Sequence, residues 1–212
     1  MISAVIFDLD GVLVDSEQAW DAARKDVVAA NGGTWREGAE HDMLGMSSKE
    51  WPVYVVEQLG ARLTPRQVND AVVDAMLRGY RERLPLLPGA REAVERVAAT
   101  LPIGLASSSN REVIDLVLER MGVASLFAAT VSSEEVGRGK PAPDVYLEAA
   151  RRMGVDPREA AAVEDSANGI RSAHAAGLRV YAIPNAHFPP APDALALADE
   201  VLPDLDALFA AA

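Results

Sequence analysis

The sequence contains no cysteine, which excludes disulfide bonds, thiolate metal sites and cysteine nucleophiles. Histidine is scarce as well. His41, His174 and His187 are scattered without the spacing of metal ligands, so we expect each to be structural or exposed. No apolar stretch reaches the 18 residues of a membrane-spanning helix, and no positively charged start leads into an apolar signal segment. These absences predict a cytoplasmic protein that does not associate with membranes.

Positive charge is also in short supply. The 20 lysines and arginines face 32 acidic residues, and the resulting charge of −12 disfavours nucleic acid and anionic membrane as partners. Only three of these cations are lysines, so Lys140 in GRGKPAPDVY indicates a place that requires a compact point charge. With half of its 212 residues hydrophobic, the chain suits one large domain or one domain with an insertion. We expect a monomer or a weak dimer.

Short apolar runs typical of strands alternate with segments of helical periodicity. This alternation predicts an α/β fold, a Rossmann-like parallel sheet with helices on both faces. Ligands of such folds bind beyond the carboxyl ends of the strands. The predicted strands lie at 3–9, 101–107, 128–132, 160–164, 179–183 and 200–202, and the predicted helices at 89–99, 110–121, 143–153, 167–176 and 204–210.

Residues 16–84 interrupt the alternation, because they show successive helices and no convincing strand. Ser16 can cap the first helix, which should stop at Asn31-Gly32-Gly33. Ser47 and Glu50 have capping-box spacing, and Thr64-Pro65 should start a third helix that runs to about Arg83. We infer a helical cap domain at 16–84, inserted into a core domain of 1–15 and 85–212. Its hinges should lie near 15–16 and 85–89, and the alanine-rich end at 207–212 should fray.

Polar residues cluster where the predicted strands end. Asp8-Leu9-Asp10-Gly11 follows the first strand, 107–110 (Ser-Ser-Ser-Asn) the second, and Glu164-Asp165 the fourth, while Lys140 follows the third. Each motif alone is typical of a solvated turn or a helix cap. Together they lie at one edge of one sheet, where a single crevice should collect them.

Carboxylates at that edge would repel one another. Two like charges 4 Å apart repel by about 4 kcal/mol at an effective dielectric of 20, so Asp8, Asp10 and Asp165 need a cation in order to converge. The absence of cysteine and of clustered histidine argues against zinc, and oxygen ligands suit Mg²⁺. Gly11 lets the backbone turn sharply after Asp10, and we expect it to offer amides to a phosphate.

Four motifs, DLDGVLVDSE, ASSSN, GKPAPDVY and VEDSANGI, resemble the signatures of the haloacid dehalogenase-like hydrolase superfamily with a helical cap, over residues 3–185. The resemblance implies that Asp8 is the nucleophile that takes a phosphoryl group and that Asp10 is the acid/base. It further implies that Ser107 and Lys140 hold the transferring phosphate. The implied metal ligands are Asp8, Asp10, Glu164 and Asp165, with Mg²⁺ as cofactor.

Candidate substrate-binding residues are Gly11, Ser108, Ser109, Asn110, Lys49 and Trp20. Lys49 and Trp51 lie in LGMSSKEW, which looks like the family's cap loop over the active site. Trp20 and Trp51 could instead serve only to pack the cap domain. Lys49 could instead be a solvent-exposed charge at the start of a helix. Arg78 is expected at the surface.

The sequence favours a Mg²⁺-dependent phosphatase that hydrolyses a small phosphorylated metabolite, such as a sugar or polyol phosphate, through an aspartyl-phosphate. A hexose phosphomutase resembling β-phosphoglucomutase is the main alternative. This sequence has Trp20 in place of that enzyme's cap histidine, Ser48 in place of an arginine and Met76 in place of a lysine.

Three further functions stay open as alternatives. A dehalogenase of this superfamily would lack Asp10 and the metal-binding acidic pair. A phosphonatase would need Lys25 or Lys49 as a Schiff-base lysine. A non-enzymatic phosphate-binding protein would have no need for the full catalytic set.

Overall fold

Six strands form one parallel sheet in this computed structural model, which describes residues 2–43, 46–185 and 189–209. The strands are β1 (Ala4–Phe7), β2 (Ile103–Ser107), β3 (Phe127–Ser132), β4 (Ala160–Glu164), β5 (Arg179–Ala182) and β6 (Glu200–Val201). All neighbouring strands pair in parallel, in the order β3-β2-β1-β4-β5-β6. The predicted parallel α/β fold is therefore confirmed.

The strand order places β1 in the middle, between β2 and β4. Phe7, the last residue of β1, is in register with Leu105 of β2 and with Val163 of β4. The chain moves outward from β1 to β2 and β3 and then returns to the other side of β1 at β4. Such a reversal opens a crevice at the carboxyl ends of the central strands, which is where ligands bind in open α/β sheets.

Nine α-helices lie within the described residues: α1 (Glu17–Ala30), α2 (Ala39–Asp42), α3 (Trp51–Leu59), α4 (Pro65–Glu82), α5 (Ala90–Ala98), α6 (Arg111–Met121), α7 (Asp144–Met153), α8 (Ala167–Ala175) and α9 (Pro192–Leu195). Val5 and Phe7 of β1 face a core shared with α5 and α6. Ala4 and Ile6 face the opposite core, shared with α7 and α8. Both faces of β1 are apolar because helices cover both sides of the sheet.

Helices α1 to α4 occupy the segment between β1 and α5. Helix α4 packs against α1 and α3, and also against α6 beside the sheet. Its start has a full capping box, in which Thr64 accepts from the Gln67 amide and Gln67 accepts from the Thr64 amide. The two connections to this helical segment run side by side, since Asp15 N donates to Pro85 O at 2.8 Å. Val14 and Leu86 also form an antiparallel bridge.

Local hydrogen bonds explain where element boundaries differ from the predicted ones. Ser16 precedes α1, but its side chain makes no capping bond. Glu50 accepts from the Ser47 amide and hydroxyl, yet α3 begins only at Trp51. Instead of a helix over 204–210, the described residues have a single 3₁₀ turn at Ala207–Phe209. There Asp204 accepts from two following amides, a local bond that competes with helix formation.

In the described part of the chain, no helix combines the length and the apolar character needed to cross a membrane. His41 and His174 are exposed, as expected. His187 and the end of the alanine-rich tail, 210–212, lie outside the described residues.

Candidate active site

Asp8 is the first residue beyond β1. Its amide still donates to Val163 O of β4 at 3.0 Å, so the backbone fixes the side chain at the sheet edge. The side chain is buried, and Lys140 Nζ lies 2.9 Å from its Oδ1. Burial raises the pKa of Asp8 to about 8, although the Lys140 charge opposes this shift. Asp8 therefore needs more positive charge than Lys140 supplies in order to be ionised at neutral pH.

Three buried carboxylates meet beside β1. One oxygen each from Asp8, Glu164 and Asp165 lies within 4.8 Å of the others. Glu164 ends β4 and Asp165 follows it, so the parallel pairing of β1 with β4 brings these residues to Asp8. Burial, and then the charges of Glu164 and Asp8, raise the pKa of Asp165 well above its ordinary value. A cluster of buried oxygens without sulfur or imidazole suits a hard cation such as Mg²⁺.

Two glycines leave the space that this cluster requires. At Gly11, with φ +77°, an added Cβ would lie 1.9 Å from Asp165 Oδ2. At Gly169, in the first turn of α8, an added Cβ would lie 1.9 Å from Glu164 Oε2. The Gly11 amide donates to Val14 O at 2.8 Å, which closes the turn, so this particular amide is not available to a phosphate.

Glu164 also holds Lys140 in place. Its Oε1 accepts from Lys140 Nζ at 2.6 Å and from the Tyr146 hydroxyl at 2.7 Å, and its Oε2 accepts from the Asp165 amide at 3.2 Å. Burial lowers the pKa of Lys140, but the charges of Asp8 and Glu164 outweigh burial, so that pKa is raised. Lys140 is thus a permanent cation between two carboxylates.

Asp10 lies apart from the acidic cluster. Its Oδ1 accepts from the Trp20 indole Nε1 at 3.1 Å, and its Oδ2 accepts from Ser109 Oγ at 2.6 Å and from Ser107 Oγ at 3.4 Å. Asp10 was also expected among the metal ligands. Its carboxylate oxygens face Trp20 of α1 and the serines that follow β2, a geometry that suits an acid or base acting on a bound molecule, and its part in metal binding stays a prediction.

The loop after β2 is largely buried, and part of it lines the cavity. Ser107 is fully buried, and its hydroxyl accepts from the Ser109 amide at 3.0 Å. Ser108, Ser109 and Asn110 line the cavity. Asn110 Nδ2 also donates to Asn69 of α4 and to Glu134, which ties this loop to the helical segment.

A cavity of about 370 Å³ lies above Asp8, between the strand ends and helices α1 to α3. This volume suits a small metabolite. Trp20 and Trp51 are both buried, with ring centroids 6.2 Å apart, and both line the cavity. Each tryptophan therefore packs against the other and also forms part of the cavity wall. Lys49 is not among the described residues that line the cavity, and its Nζ donates to Val136 O at 3.0 Å.

Several lining residues were not identified from the sequence. Glu17 and Arg24 project into the cavity from α1 together with Trp20. Their spacing of three and four residues from Trp20 places them on the same helix face, a signal available once Trp20 is a candidate. Burial, and then the Asp10 charge, raise the pKa of Glu17 to about 7. Tyr146, which supports Glu164, ends the motif GKPAPDVY but carries no expected role in it.

A buried carboxylate lies beside a lysine and an acidic pair at the switch point of a parallel sheet, which makes this cavity the candidate active site. Residues 2–177 match the haloacid dehalogenase-like hydrolase family, and the chain belongs to this family. Hexitol phosphatase B from Escherichia coli is 37% identical over 186 residues, 86% of this chain and 84% of that protein. A phosphorylated carbohydrates phosphatase from Thermotoga maritima is 31% identical over 185 residues, covering 86% and 85%.

Among solved structures, CbbY from Rhodobacter sphaeroides in complex with xylulose-(1,5)-bisphosphate superposes with a TM-score of 0.84. The identity is 26%, and the alignment covers 97% of this chain and 95% of that chain. The chain is a hydrolase of the phosphatase type that its relatives represent.

Proposed function

We propose that this protein is a Mg²⁺-dependent phosphatase that hydrolyses a small sugar or polyol phosphate through an aspartyl-phosphate. The observation that carries the proposal is the position of Asp8 at the base of the cavity, with Lys140 on one side and Asp165 on the other. The relatives, a hexitol phosphatase and a phosphorylated carbohydrates phosphatase, support a polyhydroxylated substrate.

In this proposal an oxygen of Asp8 attacks phosphorus while the ester bond to the leaving oxygen breaks. Phosphoryl transfer depends mainly on positioning and on charge stabilisation, and the Lys140 ammonium supplies a fixed positive charge 2.9 Å from Asp8. When bound between Asp8 and Asp165, Mg²⁺ would neutralise their charge and let an anionic nucleophile approach an anionic phosphate. Splitting the displacement into two steps is the gain of nucleophilic catalysis.

Asp10 is the proposed acid and base. It gives a proton to the leaving alkoxide, and it then takes a proton from the water that attacks phosphorus and releases Asp8. Trp20 and Ser109 hold its two carboxylate oxygens in one orientation. Ser108 and Asn110, at the cavity wall, are the proposed contacts of the phosphate on the side of β2.

The proposal includes the division into a core domain, 1–15 and 85–212, and a helical cap domain, 16–84. Two adjacent antiparallel connections at Asp15 and Pro85 support a hinge at that point. The cavity lies between the two parts, so a cap movement would open and close it around the substrate.

Asp8→Asn tests the nucleophile. We expect turnover of phosphate esters to fall by at least about 10³-fold, because the amide cannot form the intermediate. Fluoroaluminate with Mg²⁺ should inhibit the wild-type enzyme by mimicking phosphate on Asp8. Asp74→Asn, exposed on α4, is the control and should keep full activity. Substantial turnover by the Asp8 variant, with the fold intact by circular dichroism, removes Asp8 from this role.

A further inference from the structure

Arg24 is a buried cation whose Nε–H donor has no hydrogen-bond acceptor among the described residues. The residue is 8% exposed, and its Nε has no partner among the described residues. Its nearest recorded ion pair is a long one, 4.0 Å from Nη1 to Asp21 Oδ1. A buried N–H donor without an acceptor is costly, so the position of Nε calls for a hydrogen-bond acceptor from a bound molecule.

Two tryptophans hold Arg24 at the cavity wall. Its guanidinium carbon lies 5.3 Å from the centroid of the Trp20 ring and 5.1 Å from that of Trp51. These cation–π contacts orient the planar group without using its N–H donors. Trp20 also donates to Asp10, so Arg24 has a fixed position relative to the proposed acid/base.

We propose that Arg24 is a specificity-determining residue that binds hydroxyl groups on the uncharged polyol tail of the phosphate ester. The inference rests on the proposed phosphatase function and goes beyond it by naming the residue that selects the part of the substrate remote from phosphorus.

The charges around Arg24 decide between a hydroxylated tail and a second phosphate. The carboxylates of Glu17, Asp21 and Asp10 all act on Arg24 electrostatically. A second phosphate would meet one cation among several acidic groups, and repulsion would offset the attraction. A hydroxyl can accept from the guanidinium and donate to a carboxylate at the same time. Glu17, which lines the cavity on the same helix face, is a suitable acceptor.

The test compares Arg24→Met with wild type on three Mg²⁺-supported substrates: sorbitol 6-phosphate, p-nitrophenyl phosphate and xylulose 1,5-bisphosphate. The ratio of kcat/KM between sorbitol 6-phosphate and p-nitrophenyl phosphate is independent of the amount of folded enzyme. We expect this ratio to fall by about tenfold or more in Arg24→Met, mainly through KM, because charged hydrogen bonds are lost. Arg66→Met, exposed on α4, should leave it unchanged.

Wild type should prefer sorbitol 6-phosphate to the bisphosphate. An unchanged ratio in Arg24→Met would make Arg24 a packing residue and overturn the inference, as would a wild-type preference for the bisphosphate that Arg24→Met abolishes. If Arg24→Met does not fold, Arg24→Lys keeps the charge with fewer donors and should still lower the ratio. If wild type hydrolyses none of the three esters, the proposed function itself is contradicted.

Discussion

At the residue scale, the carboxylate of Asp165 is closed in by a glycine on one side and by other carboxylates on the other. Gly11 leaves no room for a side chain there, and Glu164 and Asp8 both raise the pKa of Asp165. Unlike Asp8, Asp165 has no recorded ion pair to Lys140 within the described residues. A cation between Asp165 and Asp8 would relieve this repulsion, which makes Asp165 the sharpest test of the metal site.

We predict that Asp165→Ala raises the Mg²⁺ concentration needed for half-maximal activity by at least about tenfold. Chelator should silence the wild-type enzyme and added Mg²⁺ should restore it. Calorimetry provides a readout that does not depend on turnover, and it should show weaker Mg²⁺ binding by the variant. The control is Asp74→Ala on α4. Full wild-type activity in excess chelator would support metal-free chemistry of the dehalogenase kind.

Glu17 predicts a pH dependence of stability. Its pKa is about 7 in the folded protein against 4.5 ordinarily, so the folded state binds more protons between these values. The stability that Glu17 contributes is therefore present below pH 4.5 and is lost as pH rises to 7. In Glu17→Gln, we expect the free energy of unfolding relative to wild type to increase over this window and to level off above it. Urea denaturation at several pH values, in chelator, measures the difference; a difference that does not change with pH contradicts the raised pKa of Glu17.

The sequence predicted those site residues whose motifs indicate both the chemistry of the side chain and its position in the fold. Asp8 and Asp165 follow strands directly, so the strand positions alone bring them together. Arg24 could not be found in this way, since its meaning depends on the packing of Trp20 against Trp51 across two helices. Contacts of that kind are set by tertiary structure and leave no local motif.

At the element scale, the first turn of α8 is in contact with the acidic cluster. Ser166 caps the helix by accepting from the Gly169 amide at 3.1 Å, and Gly169 packs on the Glu164 carboxylate. The first turn of α8 thus fixes the orientation of Glu164, which in turn holds Lys140. Gly79 in α4 offers a matched comparison, because an added Cβ there meets nothing within 4 Å.

We predict opposite effects for the same substitution in these two helices. Gly169→Ala should displace Glu164, lower activity by at least about tenfold and weaken Mg²⁺ binding. Gly79→Ala should leave activity unchanged and raise the free energy of unfolding by up to about 1 kcal/mol, because alanine favours helix. Activity assays and urea denaturation of both variants measure these effects. Equal activity in both would mean that α8 does not position the cluster.

Element boundaries were predicted well where periodicity and capping agree. Strand β4 lies at the predicted residues, and α4 starts at Thr64-Pro65 as expected, with its capping box formed. The short helices α2 and α9 were not predicted, since four residues carry too little periodicity to detect. The failure over 204–210 has a local cause, the bonds from the Asp204 side chain to following amides.

At the scale of the whole molecule, the cavity is shared between the sheet edge and the helical segment. The sheet supplies Asp8, Lys140 and Asp165, and α1 supplies Trp20 and Arg24. In the proposed function, the sheet residues break the ester bond, and the helical residues contact the group that carries the phosphate. A phosphatase and a phosphomutase would use the same sheet residues. The two functions would therefore differ on the helical side of the cavity.

Three positions of the helical side carry uncharged residues where β-phosphoglucomutase carries basic ones. Trp20 stands where β-phosphoglucomutase has a histidine, and it contacts Asp10 through its indole nitrogen. Met76, in place of a lysine, is buried, and Ser48, in place of an arginine, is also buried. Arg24 does not replace them, since it lies among acidic side chains. Each missing charged contact to a second phosphate is worth roughly 1.5–3 kcal/mol, so a bisphosphate intermediate would be held weakly.

We predict that β-glucose 1-phosphate, where it is accepted, yields glucose and free phosphate at a rate independent of added glucose 1,6-bisphosphate. Water reaches the aspartyl-phosphate because the cavity does not retain a bisphosphate long enough to return its phosphate to Asp8. Coupled assays for glucose, glucose 6-phosphate and free phosphate in one time course measure the partition, and Asp8→Asn, which should form none of the three, is the control. Accumulation of glucose 6-phosphate faster than free phosphate, with stimulation by the bisphosphate, would replace the phosphatase assignment with the phosphomutase.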